Sequence, residues 1–178
     1  MESGRAGVSF NVLPPGSGGE AMAIGELLGG RYEGVLPDDG DYAVRVFLSR
    51  AAARRGETAD FAISVRVSGD PLVATSFDQD APVQGTRYHA RTSVSCKPVG
   101  SAARRCDAFV VRRGFEGTAT VELRWAADRK RRILFVKGTP TASDSAQPMT
   151  FERDARGWRV RFGADERFEI PEELIFGG

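Results

Sequence analysis

The chain has 178 residues, a formal net charge of +1 and 41% hydrophobic residues, values that are ordinary for a folded domain of this size. The near-neutral charge argues against the strongly basic surface that nucleic-acid binding requires, and no apolar run reaches the ~20 residues of a membrane-spanning helix. The first residues lack the basic start and apolar stretch of a signal peptide, so the sequence belongs either to a cytosolic protein or to part of a longer precursor.

Short strand-like segments separated by Gly, Pro and Asp fill the first part of the chain. Alternating apolar and polar residues predict strands in VSFNVL, AMAIGE, YEGVL, DYAVRVFL and DFAISVRV, and a helical turn at 49–55. Five strands are few for two packed sheets. Residues 1–70 are therefore predicted to form a portion of an antiparallel β-sandwich that lacks its first strands. Its unpaired sheet edge predicts association into a homodimer.

Residues 71–85 are rich in turn formers without periodicity and are predicted to be a linker. The following residues, 86–178, contain strand-like runs in RYHARTSVSC, DAFVVRR, TATVELRWA, RRILFVKG, MTFERD, GWRVRFG and RFEIP. Hairpin turns are predicted at 128–130 and 154–157, and a helical turn at 172–176. The predicted fold class is all-β: the sandwich portion, followed by a second small antiparallel β domain of unknown function.

The two cysteines, Cys96 and Cys106, lie on either side of a turn-rich loop. This spacing predicts a disulfide that closes a hairpin, and with it an oxidising compartment. The alternative is a pair of reduced core cysteines. Two cysteines and one histidine do not complete a zinc site of four ligands, so neither a metal nor another cofactor is predicted.

The sequence gives little support for an enzyme. The single histidine, His89, lies in an alternating run that predicts a half-exposed strand position, and no GxSxG motif accompanies it. The glycine-rich LPPGSGGEA lacks the Lys-Ser/Thr pair of a phosphate loop. The neighbouring carboxylates Asp38 and Asp39 are interpreted as turn residues. We therefore predict a protein with no catalytic residues.

Arginines are concentrated after the strand DYAVRVFL, in the stretch SRAAARRGE. In a helical turn, Arg50 and Arg54 fall on the same side at i,i+4, where like charges repel slightly. Stability therefore does not require the pair, whereas arginine is well suited to bidentate binding of carboxylates. The pair predicts docking into an acidic cleft; the alternative is a charged turn exposed to solvent.

The longer segment LPDDGDYAVRVFLSRAAARRGETADFAISVRV resembles the C-terminal region of the periplasmic inhibitors of goose-type (g-type) lysozyme, a family of bacterial β-sandwich proteins. The resemblance covers roughly residues 8–68 and rests mainly on the pattern L-P-x-x-G-x-Y-x-[LV]-R-V, followed by an arginine and an Ala-Arg pair. The residues that carry it are Leu36, Pro37, Gly40, Tyr42, Arg45, Val46, Arg50, Ala53, Arg54 and Phe61.

In that family, the loop with the two arginines enters the substrate cleft of the lysozyme. The resemblance implies that Arg50 and Arg54 bind a g-type lysozyme, that Tyr42 and Arg45 support the loop, and that the protein is periplasmic or secreted. The last part of the chain resembles an uncharacterised module of proteobacterial envelope proteins. The G-x-Y-x-[LV]-R-V pattern also resembles pre-peptidase C-terminal domains, which implies instead a passive binding or structural module.

Overall fold

The computed structural model describes residues 7–68, 81–113 and 117–177. They are mostly β and form two compact units. The described part of the first unit comprises residues 7–33 and 40–68, and that of the second comprises 34–39, 81–113 and 117–177. The all-β prediction is confirmed. The predicted linker, 71–85, lies mostly outside the described residues, so the predicted domain boundaries stay a prediction. Residues 34–39 belong to the second unit, which the sequence did not predict.

The first unit contains one antiparallel sheet of three strands in the order β2-β1-β3. These strands are β1 (Val8–Leu13), β2 (Ala23–Ile24) and β3 (Ala43–Leu48), and β3 is followed by the short helix α1 (Arg50–Arg54). In the central strand, Val12 lies opposite Ala23 of β2 and Val44 of β3. The small core consists of Val12, Met22 and Ala23, with Phe10, Tyr32 and Tyr42 packed around them.

Two of the strands predicted in residues 1–70 do not form. Residues 31–36 and 58–68 lie in neither sheet, and β2 retains only two residues of AMAIGE. The alternating apolar side chains of 58–68 are exposed, from 52% at Ile63 to 80% at Val67. An alternating pattern shows which side chains can share a face, but a strand also needs a neighbouring strand for its backbone hydrogen bonds. The described residues provide no such neighbour to 58–68.

The second unit contains an antiparallel sheet of eight strands in the order β8-β7-β6-β5-β4-β11-β10-β9. Consecutive strands pair as hairpins from β4 to β8 and from β9 to β11, and β11 pairs with β4. The edge strands β8 and β9 approach each other, so the sheet is nearly closed. The elements are β4 (Ala90–Lys97), β5 (Arg105–Arg112), β6 (Ala119–Ala126), β7 (Arg129–Val136), β8 (Thr139–Ser143), β9 (Met149–Asp154), β10 (Gly157–Phe162), β11 (Glu166–Pro171) and the helix α2 (Glu172–Phe176).

The core of the second unit follows from the alternation of its strands, because every second side chain points to the same face of a sheet. In β6, Val121 and Leu123 are fully buried in this core. Helix α2 contributes Leu174 and Ile175, and Arg112 Nε donates a hydrogen bond to the Leu174 carbonyl at 3.1 Å. Within the described residues, no helix is long and apolar enough to cross a membrane.

The predicted disulfide is present. Cys96 of β4 and Cys106 of β5 are bonded across the hairpin, with their Cα atoms 5.9 Å apart, and both side chains are buried in the core. This Cα separation lies within the usual range for disulfides. Such bonds persist mainly in proteins of oxidising compartments.

Replacing both cysteines by alanine is expected to lower the free energy of unfolding by about 2.5 kcal/mol, the loop-closure entropy of a ten-residue separation. Urea unfolding followed by tryptophan fluorescence measures this change, because both tryptophans, Trp125 and Trp158, lie in the second unit. A loss below about 0.5 kcal/mol would contradict the expected contribution.

Candidate functional site

Helix α1 is short, yet its backbone groups are satisfied at both ends. The Ser49 hydroxyl accepts a hydrogen bond from the Ala52 amide at 3.2 Å, which caps the first turn. At the other end Gly56 adopts a left-handed conformation with φ of 68°. The Gly56 amide donates to the Ala53 carbonyl, and the Glu57 amide donates to the Ala52 carbonyl. This is a Schellman motif, which ends a helix at a defined residue.

One side of α1 is fastened to the start of β1. Ala52 is buried, and a Cβ atom at Gly7 would lie 3.2 Å from the Ala52 Cβ and 2.6 Å from the Ser49 Oγ. Glycine is therefore needed at position 7, where φ is also +66°. Because two residues along a helix correspond to roughly 200° of rotation, Arg50 and Arg54 both lie on the side opposite Ala52.

The predicted contact arginines, Arg45, Arg50 and Arg54, are exposed, and none forms an ion pair with another residue of the described chain. Arg55 differs from them, because its guanidinium is paired with Glu57. This short segment therefore contains arginines with an ion-pair partner and arginines without one in the described chain. Those of the predicted contact set keep their hydrogen-bond donors available for a carboxylate on another molecule.

Tyr42 and Arg45, which the resemblance implies as supports of the loop, precede α1 in and next to β3. Tyr42 is half-buried and packs against the core of the first unit. Arg45 lies opposite Asn11 of β1, with its side chain exposed. Tyr42 therefore helps to hold the strand that leads into α1. The role of Tyr42, Arg45, Arg50 and Arg54 in binding a partner stays a prediction.

The second unit contains a cluster of buried charges that was not predicted from the sequence. In β6, Thr120 and Glu122 point away from the apolar core and are nevertheless buried, as is Arg132 of the neighbouring strand β7. A polar residue at every second position of a strand usually indicates a solvent-facing side. Here residues 34–39 of the same unit cover that side, so the polar side chains are enclosed.

Asp38 is the buried carboxylate of the covering segment, residues 34–39. Its side chain is 1% exposed and contacts three arginines: Arg87 at 2.8 Å, Arg113 at 3.1 Å and Arg132 at 3.1 Å. The chain does bend at 38–40, as predicted for these carboxylates, but the Asp38 side chain contacts distant arginines, which the turn interpretation did not predict. A buried carboxylate requires compensating charge, and here arginines from three separate parts of the second unit supply it.

Pro37 is the other anchor of the segment. It is fully buried, and its carbonyl accepts a hydrogen bond from the Thr120 hydroxyl at 2.8 Å. The Thr120 oxygen in turn accepts one from Arg113 at 2.6 Å. Residues 34–36 and Asp39 are exposed. The segment therefore inserts two consecutive residues into the second unit, while the chain on both sides of them stays in contact with solvent.

Glu122 is the second carboxylate of the cluster. It accepts hydrogen bonds from Arg124 at 2.6 Å, from Arg132 at 3.0 Å and from the Tyr88 hydroxyl at 3.0 Å. Burial alone would raise the pKa of Glu122. The hydrogen bond from Arg124 and the positive charges of Arg132 and Arg124 outweigh this effect and hold the pKa of Glu122 below its usual range.

A third carboxylate, Asp144, lies next to the adjacent arginines of β7. It accepts a hydrogen bond from the Arg132 backbone amide at 2.9 Å, and Arg131 Nη1 donates to it at 3.3 Å. Arg131 also reaches Glu166 at 3.1 Å. Despite these partners, burial raises the pKa of Asp144 above its usual range. The buried arginines and carboxylates thus form one extended network of ion pairs, which joins several parts of the second unit.

The remaining candidates for chemistry have structural partners. His89 Nδ1 accepts a hydrogen bond from the Arg112 backbone amide at 3.0 Å, so the imidazole helps to hold the end of β5. In the described ranges, no three His, Cys, Asp or Glu residues are grouped in a way that could hold a metal ion. Comparison of the chain with protein-family models, curated proteins and solved structures finds no match.

Asp38→Asn is expected to lower the free energy of unfolding of the second unit by about 3 kcal/mol, because the buried Arg113 and Arg132 each lose an anion. Asp39→Asn is the matched control. Asp39 also lies 3.2 Å from Arg113 but is 81% exposed, so its loss should cost under about 1 kcal/mol. Tryptophan fluorescence in urea measures both changes, and equal losses would contradict the central role of Asp38.

Glu122→Gln is expected to destabilise the second unit at pH 7 by about 3 kcal/mol and to weaken its pH dependence. Because the folded pKa of Glu122 lies below its unfolded value of about 4.3, the carboxylate stabilises above that value. The contribution disappears as pH falls through the folded pKa. The difference between wild type and variant should therefore shrink from pH 5 towards about pH 2. Urea titrations across this range measure it, and a constant difference would contradict the assignment.

Proposed function

We propose that this protein acts by binding rather than by catalysis, and that its first unit inserts Arg50 and Arg54 into an acidic cleft of a partner protein. The observation that carries the proposal is this exposed arginine pair, which has no ion-pair partner in the described chain and stands on a helix capped at both ends. A helix already held in place loses little backbone entropy on binding. The resemblance implies g-type lysozyme as the partner.

The chemistry of such a cleft suits the pair. A glycoside hydrolase of this kind binds a sugar chain and carries a catalytic carboxylic acid. A guanidinium group entering the cleft would form charge-assisted hydrogen bonds with that carboxylate. The mutual repulsion of Arg50 and Arg54 in the free protein would also decrease once an anion lies between them. Inhibition would follow from occupation of the cleft, without turnover or a cofactor.

The residues after α1 provide apolar area for the same interface. Phe61, Ile63, Val65 and Val67 are all more than half exposed. Protein–protein interfaces are enriched in aromatic residues and arginine, and arginine is frequent among the residues that dominate binding energy. A partner that covers Phe61 and Ile63 while accepting the arginine pair would combine both contributions.

The proposed location is the periplasm or the extracellular space. The Cys96–Cys106 disulfide supports an oxidising compartment. A binding protein directed at a cell-wall hydrolase would meet its target there. The resemblance, rather than the disulfide, is what favours the periplasm among these compartments.

Arg50→Ala with Arg54→Ala is expected to weaken inhibition of a g-type lysozyme acting on bacterial cell walls by about 100-fold or more. The matched control is Arg31→Ala with Arg55→Ala. It removes the same charge from exposed arginines that are each paired with a nearby glutamate. This control should inhibit like the wild type, because its arginines already have partners within the chain.

Salt provides a second measurement on the same proteins. Inhibition by the wild type should weaken as ionic strength rises, because association steered by charge is screened, while residual binding by the Arg50/Arg54 variant should depend less on salt. Absence of inhibition by the folded wild type would overturn the lysozyme proposal. Equal inhibition by the two double variants would overturn the role of the arginine pair and favour a passive structural module.

A further inference from the structure

The second unit holds residues 34–39 in the manner in which a recognition domain holds a peptide. The contact is concentrated in Pro37 and Asp38, whereas Val35 and Leu36 before them and Asp39 after them are exposed. A segment that belonged to the core of this unit would bury its apolar side chains, Val35 and Leu36. Instead the unit buries a proline and a carboxylate, which are the residues that its own side chains can recognise.

Each part of the segment is recognised by a different group. The Thr120 hydroxyl binds the carbonyl of Pro37, which fixes the position of the backbone. Arg113 Nη2 and Arg87 Nη2 each bind one oxygen of the Asp38 carboxylate, and arginine clusters are a recurring means of recognising acidic motifs. The restricted φ of proline also favours the extended conformation in which such a motif binds.

If the segment left the site, the buried Arg113 would still need a nearby anion. Both carboxylates that pair with the buried Arg113, those of Asp38 and Asp39, come from the segment, and its other described partner is the neutral Thr120. Arg132 differs, because it keeps Glu122 at 3.0 Å. An empty site would therefore leave the buried Arg113 without either of the carboxylates that the described residues offer it, a strongly unfavourable state.

We propose that Arg87, Arg113 and Thr120, together with Arg132, form a binding site for an extended peptide that contains Pro-Asp. In this structure the chain's own Pro37–Asp38 occupies the site as an intramolecular ligand. A Pro-Asp segment of another polypeptide competes with it. Because a tethered ligand acts at an effective concentration in the millimolar range, an external peptide binds measurably only when the internal one is weakened.

The probe for this site is a fluorescein-labelled peptide with the sequence of residues 33–41, EGVLPDDGD, and binding to the full chain is measured by fluorescence anisotropy. In Asp38→Ala the internal ligand loses its carboxylate, so the peptide should bind at least 100-fold more tightly than to the wild type. Adding Arg113→Met to Asp38→Ala should abolish this binding. Equal affinity for the wild type and Asp38→Ala would place binding elsewhere and overturn the proposal.

Two variant peptides test which carboxylate is recognised. The peptide EGVLPNDGD, in which the equivalent of Asp38 is asparagine, should not bind to Asp38→Ala. The peptide EGVLPDNGD, which changes the equivalent of the exposed Asp39, should bind with nearly the affinity of the parent. Equal affinity of the two variant peptides would show a general attraction between acidic peptides and arginines, and would also overturn the proposal.

Asp38→Ala removes one of the carboxylates that pair with Arg113. The folding of this variant is therefore checked by tryptophan fluorescence. The isosteric Asp38→Asn provides a second variant with the same expected gain in peptide affinity. If neither variant refolds alone, the parent peptide added during refolding should restore the native fluorescence, and failure to do so would overturn the proposal. Arg50→Ala with Arg54→Ala, added to Asp38→Ala, should leave the gain in peptide binding unchanged, which separates this inference from the proposed lysozyme inhibition.

Discussion

The ion pairs of the Asp38 carboxylate are the interaction on which the polar half of the second unit depends. Removing a charge from water costs several kcal/mol, and only a close partner with further hydrogen bonds offsets this cost. Arg113 and Arg132 are buried, and apolar side chains cannot solvate their charges. Asp38 provides an anion to both and is itself inserted beside Pro37. Arg113 therefore depends on the segment for both of its described carboxylates, whereas Arg132 also keeps Glu122.

Arginine serves two purposes in this chain, and residue type alone does not distinguish them. In the second unit, Arg113 and Arg132 are enclosed and form ion pairs with carboxylates of the same unit. On α1, Arg50 and Arg54 project from a helix whose opposite side is fastened through Ala52, and the described chain supplies them with no anion. The first arrangement holds a chain segment in place. The second leaves its hydrogen-bonding capacity available, which is why the proposed partner is assigned to α1.

The sequence predicted the elements that depend on local patterns along the chain. Alternation and turn residues predicted seven strands of the second unit, both short helices and the disulfide, whereas β8 was missed because TPTAS carries almost no apolar pattern. Residues 58–68 alternate well but form no strand, since pairing depends on a neighbour. The Asp38 site was equally hidden: Thr120 and its partner Pro37 are 83 positions apart, and no local pattern reveals that a distant segment covers the polar face of β6.

The location of Pro37 and Asp38 also changes how the resemblance to lysozyme inhibitors is understood. The resembling segment begins at Leu36 and continues through Tyr42 to α1. Its first residues belong to the second unit, whereas Tyr42 and α1 belong to the first. Within the second unit, Pro37 and Asp38 are held by Arg87, Arg113 and Thr120, which follow them by 49 to 83 positions. Pro37 therefore has a structural role there that is independent of any partner, and the resemblance alone would not reveal it.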